Sequence, residues 1–408
     1  MDYWQYSMDK KALLVGSSFS AAPLFFVLKK RGIHVSVCGN QESDPCHQYA
    51  DASFYIDYSN RDELLHLVET ENFDYIVPSC NDYAYMSCAW VAQRLGFPGY
   101  DRYDVATILH TKNEFRMLTE QHSLPAPKSR RQEAGQAIEA GLLHFPLLVK
   151  PVDSFSGRGV VKVLSGSDLT SAVQAALQSS RSNEVVLEEF VEGSLHSHSA
   201  FICKNEVVLD FFVDEYCTVY PYQVNCSNHP SFLPETTRIN VRESITRLVR
   251  ILGMADGLLH TQFIANGDKF WIIECMRRCP GDLYSSLVEL STGVGYVDLY
   301  VRPFLGETIP ADVQLGESRY FGRHTISTSQ SLVNYTFSYN IPDASVRVVP
   351  LKSSGERLGI APFDKLAILF AEYSSRSTML EATPQLTDFI TIRSLEETYL
   401  EPVPPLST

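Results

Sequence analysis

The segment Leu147-Leu148-Val149-Lys150-Pro151-Val152-Asp153-Ser154-Phe155-Ser156-Gly157-Arg158-Gly159-Val160-Val161-Lys162-Val163 limits the possible folds more than any other. It reads as a strand, a small polar loop and a second strand. The serines and glycines let the loop close tightly and present N–H groups and hydroxyls, which is how a backbone holds phosphate. No Gly-Lys-Ser/Thr opens a helix here, so this is not a Walker A loop, and the Rossmann glycine pattern is absent as well. A phosphate loop inside a β-hairpin points to a different nucleotide fold.

The surrounding pattern supplies the frame. Residues 12–16 form an apolar strand ending in glycine, followed by a helix over 21–31 and a strand over 33–38. This is a βαβ unit, and such units build parallel sheets. A helix over 62–71, a strand over 75–78 and a helix over 83–95 extend it to a doubly wound α/β domain of about 110 residues. Its ligand crevice is expected at the carboxyl ends of the strands, near residues 16–18 and 79–82. Helices are expected over 112–122, 132–143 and 168–179. Strands are expected over 185–193, 197–203 and 206–213, then a helix over 244–252. Strands 257–265 and 269–275 form a hairpin around Asn266-Gly267-Asp268, a strong turn signal. A helix begins near Ser285. From about residue 311 the chain is β-rich, and Glu401 to Pro405 reads as an extended strap.

Composition narrows the partners. The 408-residue chain carries a formal net charge of −14, which argues against nucleic acid and anionic membranes, since both require clustered Lys and Arg. Nine cysteines, an odd number without a C-x-x-C, suit reduced thiols used as small hydrophobes. The N-terminal residues lack a signal pattern, and no apolar run approaches the length of a membrane span. The expected location is cytoplasmic.

Five features then fall in order. Lys112 stands at a helix start. Lys150 ends the strand before the Ser/Gly loop. Glu188-Glu189-Phe190-Val191-Glu192-Gly193 closes a later strand. Gln262 lies on the first strand of the Asn-Gly hairpin, and Glu274 on the second, with Arg277 and Arg278 beyond. Two lysines across a cleft can neutralise a polyphosphate. The acidic strand can offer its backbone to an adenine edge. Glu274 follows Trp271-Ile272-Ile273, where an unpartnered carboxylate is expensive. With Gln262 it offers the hard oxygen ligands that suit Mg²⁺. An arginine nearby can stabilise charge developing in phosphoryl transfer.

This order resembles the ATP-grasp superfamily of the carboxylate–amine ligase type, over roughly residues 10–310. The resemblance implies an α/β (α+β) architecture in four parts. An N-terminal doubly wound parallel-sheet domain (1–111) precedes an ATP-grasp lid subdomain (112–200). An antiparallel-sheet catalytic core (201–310) and a β-rich C-terminal subdomain (311–408) follow. It implies ATP between two antiparallel sheets, contacted by Lys112 and Lys150. Ser154, Ser156, Gly157 and Gly159 close over the phosphates as a flap. Glu188, Glu189 and Val191 hold adenine, Gln262 and Glu274 bind Mg²⁺ (or Mn²⁺), and Arg278 stabilises the transferring phosphoryl. A small carboxylate is phosphorylated and an amine displaces the phosphate, giving an amide or peptide bond with ADP and phosphate released. A homodimer is expected by analogy.

The chain departs from the family at two places. Met276 stands where an Asn ligand is usual, and a thioether is a poor Mg²⁺ ligand, so the number of metals is open. Leu195 stands where an acidic residue usually reaches the ribose, with His196 beside it. Arg238, Asp282 and Tyr284 are substrate candidates by type and position only. Arg277, His198 and His260 read as packed or paired structural residues. The sequence leaves the two substrates unnamed. The alternatives are an ATP-grasp kinase or carboxylase and, from another class, a non-catalytic nucleotide-binding module.

Overall fold

The computed structural model describes residues 10–153, 157, 159–353 and 355–395. Ser154, Ser156 and the 401–405 strap lie outside the described residues. The chain divides into two compact units, one of residues 1–212, 233–289 and 293–316, the other of residues 213–232, 290–292 and 317–408.

The first unit opens with β1 (Lys11–Val15), α1 (Ala22–Lys30), β2 (His34–Cys38), α2 (Pro45–Tyr49), β3 (Ala52–Phe54), α3 (Arg61–Glu71), β4 (Tyr75–Pro78) and α4 (Asp82–Leu95). The strands form a parallel sheet in the order β3-β2-β1-β4. Asn81 caps α4 by accepting from the Tyr83 and Ala84 N–H groups, and Gly96 ends it in the left-handed region. Leu13, Val15 and Ile76 join one core with Ala84 and Val91, and the alternate residues Ala12, Leu14 and Val77 are equally buried, which is the two-sided burial a parallel sheet requires.

α5 (Tyr103–His110) and α6 (Lys112–Gln121) lead into a second sheet of β5 (Ser129–Glu133), β6 (Leu147–Pro151), β7 (Val161–Val163) and β8 (Glu184–Glu189), covered by α7 (Leu169–Gln178). Its order is β5-β8-β6-β7. The helix expected over 132–143 is not there. Ser129–Glu133 is a strand paired with β8, and Gly135 and Gly141 both take positive φ, so the segment cannot run on as a helix.

The third layer contains β9 (Ser194–Cys203), β10 (Glu206–Tyr216), α8 (Glu235–Leu252), and the antiparallel hairpin β12 (Gly257–Asn266) and β13 (Lys269–Met276). Between β10 and α8 lies β11 (Cys226–His229), which belongs to the second unit. β12 is flanked by β9 and β13, and α5, α6 and α8 pack on one face of this sheet around Phe263, Ile272 and Leu259. Gly193 enters β9 so close to β12 that an added Cβ would sit 2.3 Å from the Ala265 carbonyl oxygen. α9 (Tyr284–Thr292) and α10 (Tyr296–Val301) follow the hairpin.

In the second unit β11, β14 (Tyr320–Ile326), β17 (Ala367–Tyr373) and β16 (Ala344–Pro350) form consecutive antiparallel ladders, and β15 (Tyr335–Tyr339) pairs with β18 (Ile390–Ser394). α11 (Arg376–Ala382) supplies Met379 to their shared core.

Candidate active site

The β12–β13 hairpin carries the two oxygen-bearing side chains directly opposite each other, with Gln262 in register with Glu274. Strict alternation would not do this. On β13, Phe270 and Ile272 face the α8 side with Phe263 and Ala265 of β12. Two residues on, Glu274 would share that apolar face. A β-bulge intervenes: Phe263 pairs with Ile272 and Gln262 with Glu274, leaving Ile273 as the extra residue. The bulge shifts the parity, so Cys275 joins the core and Glu274 turns to the opposite face beside Gln262.

The bulge is also held from below. The Arg116 guanidinium donates through Nη2 to the Ile273 carbonyl at 2.6 Å and through Nε to Glu188 Oε1 at 2.9 Å. Glu188 Oε2 accepts from Lys150 Nζ at 2.5 Å. Lys150 pairs in register with Val186, two residues from Glu188, so both side chains lie on one face of the β6–β8 ladder. One buried carboxylate therefore fixes two cations, and it ties β6 to the hairpin through α6. Burial alone would raise the Glu188 pKa, but the Arg116 and Lys150 charges beside it bring it down to about 2.

The pH consequence has a definite sign. A depressed carboxylate contributes stability above its ordinary pKa near 4.5 and loses it as pH falls toward about 2. Thermal unfolding from pH 6 to 2 should show an acid loss for the native chain that Glu188→Gln lacks. At neutral pH the same variant leaves two buried cations uncompensated, at a cost of about 3–5 kcal/mol. Identical acid slopes in both chains would discard this assignment.

Lys112, one helical turn before Arg116, faces the same cluster. Burial lowers the pKa of its ammonium group; the Glu274 charge opposes that fall and the Lys150 charge adds to it. Among the described residues Glu274 forms no salt bridge, although Lys112 and Arg278 lie close enough for their charges to act on it.

Arg278 sits just past β13. Its Nε donates to Asp82 Oδ2 at 2.9 Å and its Nη1 to the Cys279 carbonyl at 3.3 Å. Asp82 opens α4 at the carboxyl end of β4 and also meets His110 Nδ1 at 3.1 Å. Burial opposes ionisation of Asp82, yet Arg278 and His110 hold its pKa well below the usual carboxylate range. Nearby, the Asp282 N–H donates to Ser20 Oγ at 3.1 Å, in the loop after β1. The crevice expected at the strand ends therefore meets the hairpin here.

Other candidates have different surroundings. Arg277 is buried on Asp101 at 2.7 Å and donates to the Leu258 and Ala255 carbonyls, which makes it a structural clamp. The Glu189 carboxylate accepts from the His144 N–H at 3.0 Å. Val191 follows the end of β8, beside Phe190, whose ring lies 3.5 Å below Lys162 Nζ. Arg238 pairs with Glu235 at 2.5 Å on the first turn of α8. Tyr284 Oη accepts from Ser197 and Ser199 at 3.1 and 3.4 Å. His196 stacks on Phe263, on the face opposite Gln262, which removes it as a ribose contact on the Gln262 side. Gly157 and Gly159 both take a φ of 71°. Asp153 caps the 180–182 turn by accepting from the Arg181 and Ser182 N–H groups at 2.9 Å.

Sequence reasoning passed over Arg116, His110, Asp153 and the bulge. Arg116 had a usable signal: it lies four residues after Lys112, on the same helix face.

A carboxylate and an amide oxygen on one partly buried face, with lysines set back from them, make a donor set that fits Mg²⁺. A parallel-sheet domain, a four-stranded sheet carrying the Lys150 hairpin, and an antiparallel sheet bearing this pair make up an ATP-grasp fold. Residues 111–289 match the family described as D-ala D-ala ligase C-terminus. The chain is 26% identical over 365 residues to a formate-dependent phosphoribosylglycinamide formyltransferase of Prochlorococcus marinus, covering 86% of this chain and 92% of that one. Among solved structures, an L-amino acid ligase from Bacillus licheniformis superposes with a TM-score of 0.79 at 18% identity, covering 95% of this chain and 100% of the other. The biotin carboxylase domain dimer of Hydrogenobacter thermophilus 2-oxoglutarate carboxylase, in complex with MgADP and bicarbonate, superposes with a TM-score of 0.76 at 18% identity, covering 95% and 91%.

Proposed function

We propose that the chain is an ATP- and Mg²⁺-dependent ligase that joins a small carboxylate to an amine through an acyl phosphate. The observation that carries this is the in-register Gln262–Glu274 pair, within reach of the charges of Lys112 and Arg278. Lys112 and Lys150 neutralise the polyphosphate, the 154–159 loop covers it, and the chain around Glu189 and Val191 receives adenine. A Mg²⁺ ion held by Gln262 and Glu274 supplies charge neutralisation at the phosphate oxygens; Mn²⁺ meets the same donor set.

In the first step a substrate carboxylate oxygen attacks the γ-phosphorus and ADP leaves. In the second the amine nitrogen attacks the acyl carbon, phosphate leaves with the bonding electrons, and the nitrogen loses a proton. Arg278 faces the charge that develops in both steps. The substrate positions fall to Asp282, Tyr284 and Arg238. The four-part organisation at 111, 200 and 310, a homodimer and a cytoplasmic location belong to this reading. No helix among the described residues is long and apolar enough to cross a membrane.

The test is phosphate release with ATP and Mg²⁺ across panels of carboxylates and amines. Release that requires both partners is expected. Phosphorylation of an alcohol without any carboxylate would make the chain a kinase, and bicarbonate-dependent release a carboxylase. Nucleotide binding with no turnover across the panels would leave a binding module.

A further inference from the structure

We infer that this site works with a single divalent cation per nucleotide, and that Met276 sets the limit. The inference rests on the nucleotide-site reading above. The bulge places Glu274 and Met276 on one face of β13, with Met276 in register with His260 and Glu274 with Gln262. Two serines of β9 on that face are hydrogen-bonded within the fold. Ser197 Oγ donates to Tyr284 Oη at 3.1 Å, and Ser199 Oγ lies 2.9 Å from His260 Nδ1 and accepts from Tyr296 Oη at 3.0 Å. Gln262 and Glu274 are the oxygen-bearing side chains that the β12–β13 hairpin places on that face.

That set suffices for one hard cation completed by phosphate oxygens and water. A second ion about 3.5–4 Å away can share the Glu274 carboxylate but needs a further protein oxygen of its own. The next side chain along the face is a thioether, 6% exposed, and soft sulfur does not serve Mg²⁺. Lys112 and Arg278 already place positive charge close to Glu274.

The experiment counts Mn²⁺ on the whole chain saturated with ADP, by equilibrium dialysis and by electron paramagnetic resonance. A single Mn²⁺ per bound ADP with a mononuclear spectrum is expected. Met276→Asn adds an amide oxygen and should raise the count toward two, with an exchange-coupled spectrum. Two Mn²⁺ per ADP on the native chain would overturn the inference while leaving the nucleotide site intact. An unchanged count in a folded Met276→Asn chain would overturn the role of Met276. Absence of ADP binding in the native chain would instead overturn the nucleotide-site reading. Should Met276→Asn not fold, the native count still decides the stoichiometry.

Discussion

Glu274→Gln should lower ATP turnover by about 10³-fold or more, equivalent to roughly 4 kcal/mol of transition-state stabilisation. The substitution keeps the shape of the side chain and removes the charge that faces the same side as Gln262. It should leave the fold intact, because Glu274 forms no salt bridge among the described residues and its backbone stays in the β12 ladder. Calorimetry separates the cause. ADP should bind the variant about as well as the native chain without metal, while the gain in affinity on adding Mg²⁺ disappears. Lys112 should also respond. The Glu274 charge holds its pKa up against burial, so the variant's lysine should titrate lower. Native turnover in a folded Glu274→Gln chain would sink the metal assignment.

The parts of this molecule that could be read in sequence are those where local pattern and cost agree. The Asn266-Gly267-Asp268 turn fixed the β12–β13 hairpin because few other conformations suit that dipeptide. Glu274 stood out because a charged group after an apolar run needs a partner, and Lys150 because it ends a strand just before the Ser/Gly loop. What could not be read is what tertiary packing decides. Ile273 is an ordinary strand residue until β12 pairs with β13 and the register slips at Phe263. Arg116 looks like one more helical arginine until β8 brings Glu188 against it. The 132–143 segment has enough helix-forming residues to suggest a helix, but its first two residues pair with the edge of β8 and Gly135 and Gly141 take positive φ beyond them. Ladder pairing outweighed local propensity there, whereas at the bulge it reversed the face of the side chain on which the proposed chemistry depends.

Arg278→Ala should lower kcat by about 10²–10³-fold, roughly 3–4 kcal/mol, with little change in the KM for ATP, because its charge serves the transition state more than nucleotide binding. Asp82 on Nε and the Cys279 carbonyl on Nη1 hold the guanidinium plane in one orientation. Arg278→Lys should recover only part of the rate, since an ammonium keeps the charge and loses the planar fork. Stability complicates the alanine variant. Asp82 is 8% exposed, and removing Arg278 strips it of the guanidinium on Oδ2 and leaves the His110 Nδ1 contact at 3.1 Å. A buried carboxylate stripped of a partner costs several kcal/mol, which could lower turnover through unfolding alone. The double variant Arg278→Ala, Asp82→Asn removes the stranded charge together with its partner and should regain much of the lost melting temperature. If turnover stays low in that stabilised double variant, the defect belongs to the chemistry. If turnover returns with stability, Arg278 is a structural clamp like Arg277, and the transferring phosphoryl must be stabilised elsewhere, with Lys112, on which the Glu274 charge acts, left to do it.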